Sequence, residues 1–431
     1  MKKIEKILNF FIYIFPICYL FKNSLINLNI FIICVLGIIV HQKNLFKIKE
    51  NKNIYFLFLI FFLYLIIISF YSYIYHQEIN SINIEHFLKS IYFLRYFLLI
   101  LVLSSTIHKN NFNIKYFLVS ASIASLILVF DIIISFSLNN ALIEKNLINN
   151  FSIILGEEMI GGNFLQKFSL FFLISLALFR KQIFFLKKES LFIFYFILFT
   201  ILIFISILLT QNRIPLIIYT ASIVILMIFQ KKFRKYLIFF LTFSFISILL
   251  ILDYSPRLKS LYSSFVGNTK SIILNAPELF YTGKVSNKDL NFGSGHLITF
   301  NSGVQLWKKN KIFGQGIKSF RLNCTVDYKY NVCTTHPHNY LIEILTDTGL
   351  IGFALFYLGI FLMLKNYLNI FIQNTKNYFN IYNIVFIVIL FEFFPIRSTG
   401  SFFSTYNASY IFFMLPFLLK TKQTQYRKIN I

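Results

Sequence analysis

Two histidines, His336 and His338, stand at the end of the longest polar segment in an otherwise apolar chain. A new apolar helix is predicted to begin directly after them, at about Tyr340. A neutral imidazole can accept a proton near pH 7. The helix that follows would hold this base at a membrane surface, where an enzyme acting on a lipid-linked substrate needs it.

The composition indicates the class of protein that must position these histidines. Of 431 residues, 57% are hydrophobic and 13% are charged, and apolar runs near 20 residues recur along the whole chain. A soluble fold would not repeat such runs, so the sequence predicts an all-α polytopic membrane protein. We expect about twelve transmembrane helices, at roughly 8–22, 24–40, 54–75, 88–107, 115–138, 165–179, 190–210, 214–230, 236–252, 340–364, 379–396 and 402–420.

Lysine and arginine are concentrated in alternate loops, which predicts the orientation. Both termini are expected in the cytoplasm, with residues 1–252 forming nine spans and 340–431 forming three spans and a cytoplasmic tail. The formal charge of +25 then reflects topology and attraction to anionic lipid. Nucleic-acid binding is disfavoured, because the basic residues are spread over many loops with no folded basic domain.

Residues 253–339 are expected to interrupt the series of spans as one large, partly helical loop on the outer side of the membrane. Loops of this length usually carry function or are disordered. A helix is predicted at about 296–310, so we expect the loop to fold over the membrane-embedded bundle. A smaller outward loop is predicted at 139–164.

Two of the four cysteines, Cys324 and Cys333, fall in the large loop just before the histidines. In an oxidising compartment they can form a disulfide worth about 2–3 kcal/mol on a loop-entropy estimate. Two free thiols are the alternative. Zinc binding with His336 and His338 fits the ligand types, but the spacing matches no common zinc module, so no metal is expected.

Charged residues inside predicted spans are costly in lipid and need a partner or a cavity. Arg95 and Asp131 are such residues, either as a structural pair or with a substrate role. Glu392 lies near the outer end of its predicted span and should cost less.

Several short motifs in the C-terminal half share one resemblance. They are Gln211-Asn212-Arg213; Trp307-x6-Gly314-Gln315-Gly316-x3-Phe320-Arg321-x2-Cys324; Cys333-x-Thr335-His336-Pro337-His338-Asn339 followed by Glu343 and Gly349-Leu350-x-Gly352; and Ser398-Thr399-Gly400-Ser401-Phe402-Phe403 with Tyr406-Asn407. Together these motifs resemble the O-antigen ligase and O-antigen polymerase family from about residue 190 onward. The N-terminal half is similar to the family only in being a series of spans.

The resemblance implies metal-independent, inverting glycosyl transfer in the bacterial inner membrane, with no cofactor. The donor would be an undecaprenyl-diphosphate-linked glycan, and the acceptor hydroxyl would lie on the periplasmic side. A ligase transfers to lipid A-core and is the favoured interpretation, whereas a polymerase extends another undecaprenyl-linked glycan. A polysaccharide or lipid transporter is the alternative from another class. Transporters, however, usually place their sites at mid-membrane between repeated halves, which are not evident here.

The resemblance also suggests roles for individual residues. His338 is the expected general base, with His336 as the alternative or as its partner. Arginine suits a diphosphate in a metal-free site because it is permanently charged and can form two parallel hydrogen bonds. Three arginines are candidates: Arg213 first, then Arg321 and Arg397.

Each remaining candidate has an alternative interpretation. Arg213 could instead anchor a helix end by snorkelling. The Gly314–Gly316 segment before Arg321 could present backbone N–H groups to an anion, or could be an ordinary turn. Glu343 could face the acceptor or cap neighbouring backbone. His296 stands where many family members have an arginine.

Overall fold

The computed structural model describes most of the chain. The described residues are 1–21, 23–46, 51–75, 84–107, 112–141, 161–182, 187–254, 295–323, 334–373, 380–395, 397 and 400–419, with short pieces at 259–260, 262–267, 269–270 and 273–274. Cys324 and Cys333 lie outside them, so the disulfide stays a prediction. Every regular element in the described part is a helix, which confirms the all-α prediction.

The helices are named in chain order. They are α1 (Lys2–Tyr13), α2 (Phe15–Cys18), α3 (Asn23–His41), α4 (Lys52–Tyr75), α5 (Ile84–Phe93), α6 (Arg95–Ile107), α7 (Ile114–Ala141), α8 (Gly161–Leu178), α9 (Glu189–Leu209), α10 (Arg213–Phe229), α11 (Lys231–Arg234), α12 (Leu237–Tyr254), α13 (Gly295–Lys309), α14 (Phe320–Asn323), α15 (Tyr340–Gln373), α16 (Ile381–Glu392) and α17 (Thr405–Leu418). A 3₁₀ turn, Gln42–Phe46, follows α3.

Seven helical segments of the described chain are long and apolar enough to cross a membrane. They are Asn23–Phe46, Lys52–Tyr75, Ile84–Ile107, Ile114–Ser137, Gly161–Leu178, Glu189–Leu209 and Tyr340–Asn369. Three shorter apolar helices are Arg213–Phe229, Leu237–Asp253 and Ile381–Glu392. All twelve predicted spans coincide with helices, and the chain is a multi-pass membrane protein. The number of actual crossings stays a prediction, because the helices at five predicted spans, α1, α10, α12, α16 and α17, are not among the seven of span length.

Helix α8 is the most enclosed of these segments, with 83% of its apolar window buried. It packs against α7, α9 and α10, while α17 packs against α6, and α15 against α4. Aromatic rings fill the interior: the Phe15 and Phe413 rings stack with their centroids 3.9 Å apart. Many apolar side chains remain exposed on the outside, such as Phe31 and Ile67. Exposed apolar surface of this extent fits contact with lipid rather than water.

Two glycines allow the segment after α13 to cross α15 at close range. Helix α15 is kinked at Gly349, which has φ 61° and ψ −168°. A Cβ atom on Gly314 would lie 2.4 Å from the Gly349 nitrogen, and Gly314 itself has φ +79°. The kink frees peptide groups, so Leu350 N–H donates to the Lys311 carbonyl at 2.9 Å. Glycine is required at both Gly314 and Gly349, because a side chain at either position would push the two backbone segments apart.

Candidate active site

The histidine segment is fastened to the bundle by Asn339. Its Oδ1 accepts a hydrogen bond from the Ile342 N–H at 3.1 Å and so caps the start of α15. Its Nδ2 donates to the carbonyls of Pro395 at 2.7 Å and Arg397 at 3.1 Å. Asn339 therefore holds His338 beside the segment that follows α16.

His338 has a backbone conformation that is uncommon for a residue with a side chain. Its φ is 56°, in the left-handed region. Its ring lies with its centroid 4.2 Å from that of His336, and Thr335 Oγ1 lies 2.9 Å from His336 Nδ1. Residues held in such strained conformations are concentrated at functional sites. The structure thus brings the two predicted histidines into direct contact.

Helix α13 supports the histidine segment from the side. The predicted helix at about 296–310 is confirmed, and it packs against α15. A Cβ atom on Gly303 would lie 2.4 Å from Ile342 Cγ2 and 3.0 Å from Pro337 Cβ. Glycine at position 303 therefore allows α13 to pack directly against Pro337, in the histidine segment, and Ile342, in α15. His296 falls in the first turn of α13, where the backbone alone is described.

Arg397 belongs to a buried ionic cluster. Only 3% of the residue is exposed, and its Nη1 donates to Glu392 Oε2 at 2.6 Å. Its Nη2 donates to Gln166 Oε1 at 3.3 Å. The other oxygen of Glu392, Oε1, accepts a hydrogen bond from the Tyr340 hydroxyl at 3.1 Å and lies 3.4 Å from Lys167 Nζ. This group, Lys167, Glu392 and Arg397, is called the buried cluster below.

Arg213 lies near the same end of α8 as the buried cluster. It begins α10, and its guanidinium sits over the Phe265 ring, 5.4 Å from the centroid. The turn before it touches α8, because a Cβ atom on Gly162 would lie 2.6 Å from Thr210 Oγ1 and 2.7 Å from Asn212 Cβ. Gly162 precedes Gln166, the partner of Arg397, by one helical turn, a rise of about 6 Å. Both arginines are thus positioned through the N-terminal turns of one helix.

Arg321 lies in a different environment. Its side chain is exposed, and its Nη2 is 3.4 Å from His86 Nε2 on α5. Nearby, burial lowers the pKa of Lys318, and the positive charges of Lys89 and Arg321 contribute in the same direction. Arg321 therefore joins a second, more open basic group, formed with Lys89 and Lys318 and called the open group below.

The peptide N–H groups of the Gly314–Gly316 segment are already engaged. Gln315 N–H donates to the Thr346 carbonyl at 3.2 Å, and Gly316 N–H donates to the Asp347 carbonyl at 2.9 Å. The anion-binding interpretation of this segment is therefore wrong, since both donors point into α15. The structure supports the alternative of a turn that packs on the kinked helix.

Glu343 is buried, with 1% of the residue exposed. Its Oε1 accepts from the Ser401 hydroxyl at 2.5 Å, and its Oε2 accepts from the Phe402 N–H at 2.6 Å. One turn later, Asp347 accepts from the Lys318 N–H at 2.6 Å. Both carboxylates thus tie segments to α15, and the geometry of Glu343 favours the capping interpretation.

Lys167 was not among the predicted site residues, although the sequence contains a signal for it. Lys167 is an ionisable residue inside the predicted span 165–179, which is a functional-site indicator by default. Glu392 was expected to have a low desolvation cost near a span end. Its side chain is instead 0% exposed and forms ion pairs with both Lys167 and Arg397. Arg95 donates to Asn27 Oδ1 at 2.8 Å, and its pairing with Asp131 stays a prediction.

The described residues contain no group of three or more histidine, cysteine, aspartate or glutamate side chains placed to hold a metal ion. In comparisons with known proteins, a family model described as O-antigen ligase matches residues 198–357. The matched segment runs from within α9 to within α15 and includes Arg213, Arg321, His336 and His338. No curated protein matches the chain. The family resemblance is thereby confirmed: over residues 198–357 the chain is similar to the O-antigen ligase family.

Proposed function

We propose that the protein is a glycosyltransferase of the bacterial inner membrane that moves a glycan from undecaprenyl diphosphate to a lipid A-core hydroxyl. One observation carries the proposal: Asn339 joins the strained histidine segment to the carbonyl of Arg397. The segment that carries the candidate base is thus bonded to the backbone of a candidate diphosphate-binding arginine. In the proposed orientation both termini are cytoplasmic and this site is periplasmic.

The donor is proposed to bind through Arg213 and Arg397. As the glycosidic bond to phosphate breaks, negative charge grows on the diphosphate, and preorganised cations stabilise that charge without a metal. Arg397 is held in position by Glu392 and Gln166. Arg213 lies at a helix start and is half-buried, so it is the more accessible of the two. We therefore assign Arg213 the first contact with the diphosphate.

His338 is proposed to accept the proton of the acceptor hydroxyl. The oxygen then forms a bond to the anomeric carbon while the bond to the diphosphate oxygen breaks, which inverts the configuration. Undecaprenyl diphosphate leaves, and the proton passes from His338 to solvent. His336, in ring contact with His338 and held by Thr335, would keep the base oriented.

The proposal is tested with the purified protein, an undecaprenyl-diphosphate-linked glycan and two acceptors supplied separately. Transfer to lipid A-core supports the ligase. Transfer only to a second undecaprenyl-linked glycan would instead identify a polymerase using the same site. Chelator should not reduce either activity. Absence of transfer to both acceptors would overturn the proposal.

A further inference from the structure

Lys167 is fully buried, yet the proposed reaction does not use it. Its ammonium group lies 3.0 Å from Asn407 Oδ1, 3.3 Å from the Tyr19 hydroxyl and 3.4 Å from Glu392 Oε1. Glu392 also receives Arg397 Nη1 at 2.6 Å. Two cations therefore share one carboxylate in the interior.

The charge of this contact group is unbalanced. Arg397 and Glu392 alone would form a neutral pair, and Lys167 brings the net charge to +1. A buried charge without its own counterion costs stability, so a neutral residue at position 167 would suit folding better. The surplus charge thus needs an explanation other than fold stability.

The surroundings of Lys167 stabilise its charge without adding a negative one. Three aromatic rings face the ammonium, with centroids 4.6 Å away for Tyr410, 5.2 Å for Tyr406 and 5.8 Å for Tyr19. Such rings attract cations through their quadrupoles. Its other partners, apart from Glu392, are an amide and a hydroxyl. This arrangement preserves the surplus positive charge of the buried cluster.

Unused hydrogen-bond donors lie beside the surplus charge. Arg397 Nε and Gln166 Nε2 are buried, and neither has a hydrogen-bond partner among the residues that the structure describes. The residues themselves are 3% and 1% exposed. Positive charge combined with unsatisfied N–H groups is the chemistry that an oxyanion complements.

We propose that Lys167 is a positioning residue that keeps the charge of Arg397 available to the donor diphosphate. This inference rests on the proposed function. Lys167 does not touch the donor; it takes a share of the Glu392 carboxylate, which would otherwise neutralise Arg397. Charge interactions are strong in such a low-dielectric site, so sharing Glu392 between two cations should strengthen the binding of an anion to Arg397.

The test compares variants that set the net charge of the buried cluster. Lys167→Met gives zero, Glu392→Gln gives +2, and the double variant returns to +1. Lys115→Met is the control, because it removes one lysine from α7, where the ammonium lies over Phe179 at 5.5 Å from the ring centroid. For each folded variant, donor KM and kcat are measured, together with the affinities for undecaprenyl diphosphate and for uncharged undecaprenol.

Lys167→Met should raise the donor KM by about tenfold, which corresponds to about 1.4 kcal/mol. The double variant should recover most of that loss, while Lys115→Met should not raise the donor KM. The affinity for undecaprenol should be the same in all variants. A merely structural role for Lys167 would weaken binding of both lipids equally and would not be relieved by the second substitution.

Different results would overturn the role of Lys167 and the proposed function. A normal donor KM in Lys167→Met, or a double variant no better than Lys167→Met, overturns the inference. If Lys167→Met does not fold, the neutral polar variant Lys167→Gln replaces it, and a normal donor KM in folded Lys167→Gln overturns the inference. Absence of glycosyl transfer by the unmodified protein defeats the proposed function, whereas normal transfer by Lys167→Met defeats only the role of Lys167.

Discussion

The buried cluster and the open group place arginine in opposite environments. In the buried cluster, Arg397 is 3% exposed and has a carboxylate, an amide and an aromatic ring around it. In the open group, Arg321 is exposed and lies 3.4 Å from a histidine nitrogen. The first guanidinium is held by several buried partners, whereas the second lies at the surface. Sequence proximity to a motif thus says little about how an arginine is held.

The largest expected effect separates the two groups directly. Arg397→Ala leaves two buried acceptors, Glu392 Oε2 and Gln166 Oε1, without their donor, so it should lower the free energy of unfolding by about 2–4 kcal/mol. Arg321→Ala is the matched variant in the open group and should change it by less than about 0.5 kcal/mol. Thermal unfolding in detergent measures both. Equal stability of the two variants would contradict the distinction between the groups.

Glu343→Ala tests the side of α15 that faces the open group. The variant leaves the Ser401 hydroxyl and the Phe402 N–H without their acceptor, which should cost about 1–3 kcal/mol. Glu85→Ala is the control, because Glu85 pairs with Lys89 at 3.9 Å at the exposed surface, where ion pairs contribute little. Unfolding curves of both variants give the comparison. If Glu343→Ala is as stable as the control but has lost acceptor binding, the acceptor-facing interpretation is correct instead.

Arg213 is expected to behave as a donor contact rather than as an anchor. Arg213→Ala should raise the donor KM by about tenfold and also lower turnover. Arg213→Lys should restore only part of the loss, since an ammonium cannot make the bidentate contact. Donor titrations on the three proteins decide this. Full activity of Arg213→Lys would favour a simple snorkelling role.

The smallest expected effect concerns Cys324 and Cys333. If they are paired, alkylation of the denatured, unreduced protein should label neither, and reduction should expose two thiols. Cys324→Ser should then reduce activity by less than about tenfold, since the crosslink restrains the histidine segment only indirectly. Free thiols in protein kept under non-reducing conditions would disprove the pairing.

Local features were predictable from the sequence because they depend on nearby residues. The apolar runs predicted the positions of the helices, and the spacing of Phe300, Val304 and Trp307 predicted α13. The buried cluster was not predictable in the same way, because Lys167 and Glu392 lie far apart in the chain and meet only when α8 packs near α16. Tyr406-Asn407 was part of a sequence motif, but the motif did not predict the contact between Asn407 and Lys167.

The Gly314–Gly316 segment shows the same limit. Its glycines indicated an unusual backbone, but both a turn and an anion site fitted that pattern. The kink at Gly349 decides between them, since it allows α15 to accept the N–H groups of Gln315 and Gly316. A contact between two distant backbone segments is not encoded in either one alone.

Turnover of His338→Ala tests the central claim most directly. The measurement is single-turnover transfer of glycan from undecaprenyl diphosphate to lipid A-core by purified, correctly folded protein. We expect a loss of about 10²–10⁴ in rate, the range typical of a general base, with donor affinity largely kept. A His338→Ala protein that transfers glycan at a near-normal rate would contradict the proposed mechanism.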